Sequence, residues 1–371
     1  MTAMTLTKQR GFSLMEMMIG MAIGVVILGA AASLFKTGTD ATSFVQQRGD
    51  MEEDTRAALN LIAKDASMAG SGLPSGGLTL PYGGASTGVS HFAVDQTGKS
   101  WLNNNNYISG TVEGVVLNNY MYGIIPGAGN GMEKGGPATI PATGTAADEA
   151  TFIYVDYSFP LNQYTFTVNA NGIEIDNVAP PVGAPAGFPA IQSPTGLVLG
   201  DLLLVSQNGN YAVVEITGIN PGGTIITFAA GDALNMNQPG AASGNLKYLQ
   251  QNGGGNTAIA YRIYAVTYFM EVPATFGELP RLMRQVNGQT PVPVADNIIA
   301  MNFTYDLCTA TPVTGCAGQE NPIAAGYSPN QIEKVNILLE GQSPTSYGNK
   351  SRSTALSTSV STRNLTFKNR Y

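Results

Sequence analysis

The sequence predicts an α+β protein: a long amino-terminal α-helix, transmembrane in its first part and amphipathic in its second, packed on a large antiparallel β-sheet domain. Three observations predict it. Residues 12–35 are mostly apolar and uncharged but for Glu16. Residues 45–69 are charged yet carry apolar side chains at helical spacing. Beyond Gly70 the chain is loop-rich, with short alternating or apolar segments built from β-branched and aromatic residues. The organisation expected is therefore a short leader at 1–11, a membrane helix at 12–35, its amphipathic continuation at 36–70 and one exported β-rich domain at 71–371.

The first helix is long enough to cross a bilayer. Its 24 residues span roughly 36 Å at 1.5 Å per residue. Lys8 and Arg10 precede it with no acidic residue, so the positive-inside bias keeps residues 1–11 in the cytoplasm and sends the globular part outward, to the periplasm. Glu16 is costly at that depth unless it finds a partner, which invites a functional reading. An ordinary secretory signal is cut after its apolar region. Here the distinctive junction, Gly11-Phe12, stands before it, so cutting there leaves the helix on the mature protein. Gly20 and Gly24 add a small-xxx-small face suited to close helix contact, a weak motif by itself.

The combination of a short basic leader, Gly11, Phe12 and Glu16 at mature position five resembles the class III signal of type IV prepilins and pseudopilins. The resemblance implies cleavage between Gly11 and Phe12 by a prepilin peptidase on the cytoplasmic face, followed by N-methylation of Phe12. It also implies that Glu16 meets the amino terminus of a neighbouring subunit as a filament grows at an inner-membrane assembly platform. A carboxylate and an ammonium are each costly in low dielectric and far less so together.

Past residue 35 the helix continues, with a weak point at Gly38-Thr39-Asp40. Met51, Ala58, Leu59, Ile62, Ala66 and Ala69 form one apolar stripe, and Gly70, Gly72 and Pro74 stop it. From residue 12 to 69 such a helix spans roughly 87 Å, so its second half must pack on something outside the membrane. A β domain laid along that half reproduces the lollipop shape of pilins.

Composition agrees with an exported subunit. The 371 residues include 45 Gly and 21 Pro, and only 12% are charged, which points to long loops around one β-rich body. Loss of Lys8 and Arg10 with the leader leaves 16 basic against 25 acidic side chains, a net of −9. That sign argues against direct nucleic-acid binding by the bulk of the domain. The best candidate for a local basic patch is the final segment, where Lys350, Arg352, Arg363, Lys368 and Arg370 gather, and a solvated face is the plainer reading.

Cys308 and Cys316 are expected to close a small disulfide loop, because exported compartments let such bonds form. A metal site is not expected, since two thiols fall short of four zinc ligands and the only histidine, His91, is distant in sequence. No cofactor is expected either. Gly84-Ala85-Ser86-Thr87-Gly88 matches a nucleophile-elbow pattern in letters only, for its flanks are Gly-rich and His91 follows at once. Gly127-Ala128-Gly129-Asn130-Gly131 lacks the last glycine of a dinucleotide loop. Asp148, Glu149 and Asp156 are loop carboxylates that could hold calcium, and a solvated loop is the plainer reading. The chain is expected not to be an enzyme.

Residues 71–147 read as a long elaborated loop region with short strands such as 114–117. Trp101 with Tyr107, Tyr120 and Tyr122 would support an adhesive surface if they cluster, and core if they do not. Eight strands are then expected, at 151–155, 164–168, 202–205, 212–217, 224–228, 261–269, 298–305 and 335–339. Eight strands make a substantial antiparallel sheet, bent or split.

Residues 56–65 with Met68-Ala69-Gly70, then Leu279-Pro280-Arg281-Leu282-Met283-Arg284, Val294-Ala295-Asp296-Asn297-Ile298, Phe303-Thr304-Tyr305-Asp306 and Thr362-Arg363-Asn364-Leu365 resemble the PilW-type minor pilins. That resemblance implies a low-abundance subunit that primes or decorates a type IV pilus with other minor and major pilins, and in some systems helps present a large tip adhesin. The large Gly/Asn-rich region and the cysteine loop depart from the pattern. A minor pseudopilin of a type II secretion system, or a pilus-borne adhesive module, are the alternatives.

Overall fold

The structure, a computed structural model, describes residues 11–74, 77–85, 90, 92, 111–112, 115–116, 119–129, 131, 147–192, 196–254, 257–272, 279–307, 318–320, 322, 327–343, 351–362 and 365. Leu14–Met68 form one continuous helix, α1, of 55 residues. The expected weak point does not interrupt it. The hydroxyls of Thr37, Thr39 and Thr42 hydrogen-bond back to the carbonyls of Ser33, Lys36 and Gly38, so these polar side chains are satisfied within the helix. The helix ends where Gly70 and Gly72 take φ of 78° and 75°, a conformation that a Cβ disfavours.

The principal strands, in chain order, are β1 (Ile124–Gly127), β2 (Glu149–Asp156), β3 (Thr165–Val168), β4 (Glu174–Ala179), β5 (Leu202–Gln207), β6 (Asn210–Glu215), β7 (Gly218–Ile219), β8 (Ile226–Thr227), β9 (Ile259–Glu271), β10 (Arg281–Val286), β11 (Val292–Ala295), β12 (Ile298–Leu307), β13 (Ile332–Gln342) and β14 (Ser353–Ser361). All eight expected strands are present, with shifted ends, and Val115–Val116 lies within the short strand expected at 114–117. The body is split into several sheets, all of their pairings antiparallel.

The largest sheet is organised on β9, whose 13 residues are flanked by β2 on one side. Its other side is shared. β5 pairs with the first half, from Leu202↔Ile263 to Ser206↔Ile259, and β10 with the second, from Val266↔Val286 to Glu271↔Arg281. Asn287, at φ 52°, fills the gap between them. Its Oδ1 accepts from the Ala265 amide at 2.9 Å and its own amide donates to the Ala265 carbonyl at 2.8 Å, so neither backbone group is left orphaned at the fork. β1 extends the sheet beyond β2, β6 beyond β5 and β11 beyond β10. Two smaller sheets, β12-β13-β14 and β7-β8-β4-β3, complete the body with minor two-stranded pairings.

All eight residues of β2 are buried, so both of its faces make core. Ala150, Phe152 and Tyr154 join Ala58, Leu59, Ile62 and Ala66 of α1 and Phe303, Ile337 and Leu339 of the three-stranded sheet. Ile153 and Val155 face a second core with Leu204, Val213 and Tyr122. A third core lies between β5 and β6 and the four-stranded sheet, where Leu203, Val205 and Val214 meet Phe166, Ile175 and Ile226. Leu246 and Leu249 of the unanticipated helix α2 (Leu246–Asn252) belong to it. Only the first core includes α1. The helix lies close to Gly341, where a Cβ would stand 2.5 Å from Thr55 Oγ1 and 3.2 Å from Met51 Cγ, so a side chain there would force the helix and strand apart.

Candidate functional site

The site is α1, which divides into an uncovered part and a gripped part. Ser13 is the N-cap, with extended backbone at φ −77° and ψ 149°. Its Oγ accepts from the Glu16 amide at 3.2 Å, and Glu16 Oε2 accepts from the Ser13 amide at 2.9 Å. This capping box satisfies two of the donors that every helix start leaves open. The Ser-x-x-Glu spacing is legible in the sequence, although the role of Ser13 was not read from it. Glu16 thus points back toward the Gly11-Phe12 junction, where cleavage would create the amino terminus. In the single chain its carboxylate neutralises part of the positive end of the helix.

Phe12, Leu14 and Phe35 are 90%, 79% and 76% exposed. α1 is long and apolar enough to cross a membrane, and its apolar window is uncovered among the described residues. Among the described residues, nothing beyond the chain neighbours and the helix's own backbone lies within 4 Å of a Cβ built at Gly11, Gly20, Gly24, Gly29, Gly38 or Gly49. So much bare apolar surface is stable only in lipid or against other helices.

The gripped part begins at Met51. The expected stripe is buried as read, from Met51 through Ala58, Leu59, Ile62 and Ala66 to Ala69. Two polar residues on it, Thr55 and Asp65, were not anticipated as buried. Thr55 satisfies its hydroxyl on the Met51 carbonyl. Asp65 is 2% exposed and accepts from the Tyr154 hydroxyl at 2.9 Å, the Tyr268 hydroxyl at 2.6 Å and Arg284 Nε at 3.0 Å. Burial pushes both tyrosine pKa values up, and the Asp65 charge adds to it. Burial opposes the charge of Arg284, but the Asp65 carboxylate outweighs it and holds the guanidinium above its usual range. One buried carboxylate therefore ties α1 to β2, β9 and β10.

The carboxylates read as solvated loop residues are not solvated, because all three belong to β2 or the residue before it. Asp148 accepts from the Gly129 and Phe303 amides at 2.8 Å each, and burial raises its pKa. Glu149 is fully buried with neither oxygen hydrogen-bonded, and burial holds its carboxyl well above the usual range. Asp156 accepts from Arg262 Nε at 2.7 Å. Burial opposes its charge, but hydrogen bonds from Ser158 and Arg262 lower its pKa. Arg262 also donates to the Gly196 carbonyl and lies over the rings of Phe159 and Tyr264, so it clasps the first core to the third. Among the described residues no cluster of three or more potential metal ligands occurs.

Gly84 ends a short strand, whereas residues 86–88 and His91 lie outside the described residues, as do Cys308, Cys316, Trp101, Tyr107, Lys350, Arg363, Lys368 and Arg370. Arg352 is exposed. Gly127 and Gly129 belong to a strand end and a turn that holds Asp148, not to a ligand loop. Tyr120 and Tyr122 stand 6.4 Å apart and pack in the second core.

Residues 6–32 match the family model of the prokaryotic N-terminal methylation motif. No curated protein and no solved structure matches the chain. The matched segment holds Gly11, Phe12, Ser13 and Glu16, and with the uncovered helix it supports a type IV pilin-like or pseudopilin protein. A signal of this kind implies processing by a prepilin peptidase and association with pilins and a membrane assembly system, and the apolar helix is consistent with membrane anchoring.

Proposed function

We propose that the chain is a minor type IV pilin of the PilW type. After cleavage between Gly11 and Phe12 and methylation of Phe12, it enters a pilus through α1 as an initiating or decorating subunit beside other minor and major pilins. Its body lies in the periplasm before assembly and at the cell surface afterwards, where the initiating complex helps present a large tip adhesin. It performs no catalysis and binds no nucleic acid directly. The observation that supports this best is the division of α1: an apolar, uncovered amino-terminal part and a distal part gripped by the large domain that occupies the rest of the chain. A body of that size suits surface exposure better than a place inside a secretion piston.

The test is a clean deletion of the gene, scored by electron microscopy of surface pili together with the secreted proteins of the same cultures. Loss of pili with normal secretion supports the proposal. Intact pili with a depleted secretome would move the protein to a type II secretion system.

A further inference from the structure

The structure assigns β14 as a docking edge for an extended strand of a neighbouring pilin-like subunit, an inference that rests on the pilin-like reading only for the identity of that neighbour. β14 closes the three-stranded sheet and pairs with β13 over nine consecutive positions, Lys334↔Ser361 to Gln342↔Ser353, with no register shift. Among the described residues nothing pairs with its other side. An open edge is a template for strand addition, and proteins normally blunt it with proline, charge, a bulge, a cover or a very short strand.

The other edges of these sheets are blunted. β1 carries Pro126, and β11 carries Pro293 opposite a bulge in its pairing with β10. β3 is bulged against β4, and β7 is only two residues long. β6 has α2 and residues 78–79 packed against it. β12 is occupied along its outer side, where Asp148 bonds to Met301 and Phe303 and Gln319 bridges to Tyr305. β14 has neither proline, charge nor bulge: its residues are Ser, Thr, Ala, Leu and Val, and α1 packs against its half-buried face.

The chemistry of the occupant follows from the side chains along the edge. Ser353, Ala355, Ser357, Ser359 and Ser361 point away from the helix and are exposed, whereas Thr354, Leu356, Thr358 and Val360 are half-buried. Leu356 and Val360 pack against the first core without being enclosed by it, as does Leu61 of α1. The core therefore stops short at this edge. An added strand that places apolar residues at alternate positions on the helix side would finish it and satisfy the open backbone groups together. A second copy of β14 would offer only Leu356 and Val360 there, beside two threonines, so the geometry favours a different subunit with an uncharged, alternating strand.

The test is photo-crosslinking in cells with p-benzoylphenylalanine at Ser357 or Ser359 of the full chain, and at Val182 on a distant exposed loop as control, followed by mass spectrometry of the joined peptides. The expected product joins the two edge positions, and not Val182, to one extended segment of another subunit bearing a prepilin signal. Ser359→Pro and Ser357→Lys serve as blocking variants, and each is expected to lower the yield at the neighbouring probe at least about tenfold, a 1.4 kcal/mol loss. Ser357→Lys changes one exposed side chain, and protease resistance of the domain verifies that it folds. Products confined to this chain or to a second copy, or a yield unchanged by both variants, overturn the inference. A partner of the secretion type would overturn the pilus reading and leave the docking edge standing.

Discussion

The carboxylate of Asp65 and the hydroxyl of Tyr268, 203 positions apart, meet at 2.6 Å inside the interface between helix and sheet. Arg284 reaches both of them, at 3.0 Å to the carboxylate and 3.1 Å to the hydroxyl. Removing the centre of such a cluster strands a guanidinium and two phenols. Asp65→Ala is expected to destabilise the domain by about 3 kcal/mol, the low end for breaking a buried pair because Arg284 keeps some contact with water. Tyr268→Phe is expected to cost about 1.5–3 kcal/mol, the range for a hydrogen bond to a charged group. Denaturant unfolding of the full chain in detergent measures both, and an Asp65→Ala loss below about 1 kcal/mol would refute the role given to the cluster.

Glu215 provides a response to pH. It is 5% exposed and accepts from the Leu234 amide at 2.9 Å. Burial, and then the neighbouring Asp232 carboxylate, push its pKa from 4.5 up to about 7. The folded state therefore keeps a proton that the unfolded chain releases, so stability declines as pH rises from about 4.5 to about 7 and levels off above. Hydrogen exchange of residues 229–238, which wrap this carboxyl, should quicken across that window. Glu215→Gln keeps the shape without the proton and should flatten the response; an unchanged pH profile in that variant would count against it.

Asn287 is expected to be irreplaceable by alanine at the fork of the large sheet. The substitution removes the acceptor for the Ala265 amide and puts a Cβ-bearing residue without a local side-chain hydrogen bond at φ 52°. A loss of about 1–3 kcal/mol is expected. Asn287→Gly relieves the backbone but still leaves the amide unpaired. Equal stability of the glycine variant and the native chain would show that backbone conformation, not the bridge, is what the position requires.

Gly11→Val is expected to leave residues 1–11 attached and to block assembly. Among the described residues nothing beyond its chain neighbours lies within 4 Å of a Cβ at that position, so the effect is expected to fall on the peptidase and not on the fold. Immunoblotting of the two forms reads the outcome, and normal processing of the variant would contradict cleavage between Gly11 and Phe12.

Glu16→Ala is expected to permit cleavage yet reduce incorporation into filaments. It opens half of the capping box and leaves the Ser13 half in place, far from the first fully buried residue of α1, Met51. The domain should unfold at an unchanged denaturant midpoint. Unchanged incorporation beside wild-type pilins would remove the pairing role of this carboxylate.

The helix and its stripe were legible because a 3.6-residue apolar period over many turns has few alternative explanations. Asp65 was not, since a charge on such a stripe looks like a surface residue until Tyr154, Tyr268 and Arg284 arrive from distant strands. Strands with β-branched or aromatic alternation, such as β2, β9 and β12, announced themselves. β14, mostly serine and threonine, and β11, with Pro293, carry weak strand signals and were missed, as was α2, whose seven residues are too few for a period. The carboxylates of β2 were misplaced for a related reason: acidic residues beside a Gly-rich stretch resemble a loop, and only the partners across the sheet reveal their burial. The leader junction needed no fold at all, because its information is local.

Full burial on α1 begins at Met51, and the apolar stretch from residue 14 to residue 35, roughly 33 Å of it, is a handle that the described residues of the body leave uncovered. Whatever surrounds that handle can be exchanged without disturbing a single core contact. A subunit built this way can leave the bilayer and be threaded among other helices while its body stays folded throughout, so extraction costs lipid contacts alone and the load is carried by a rod continuous with the interior of the domain.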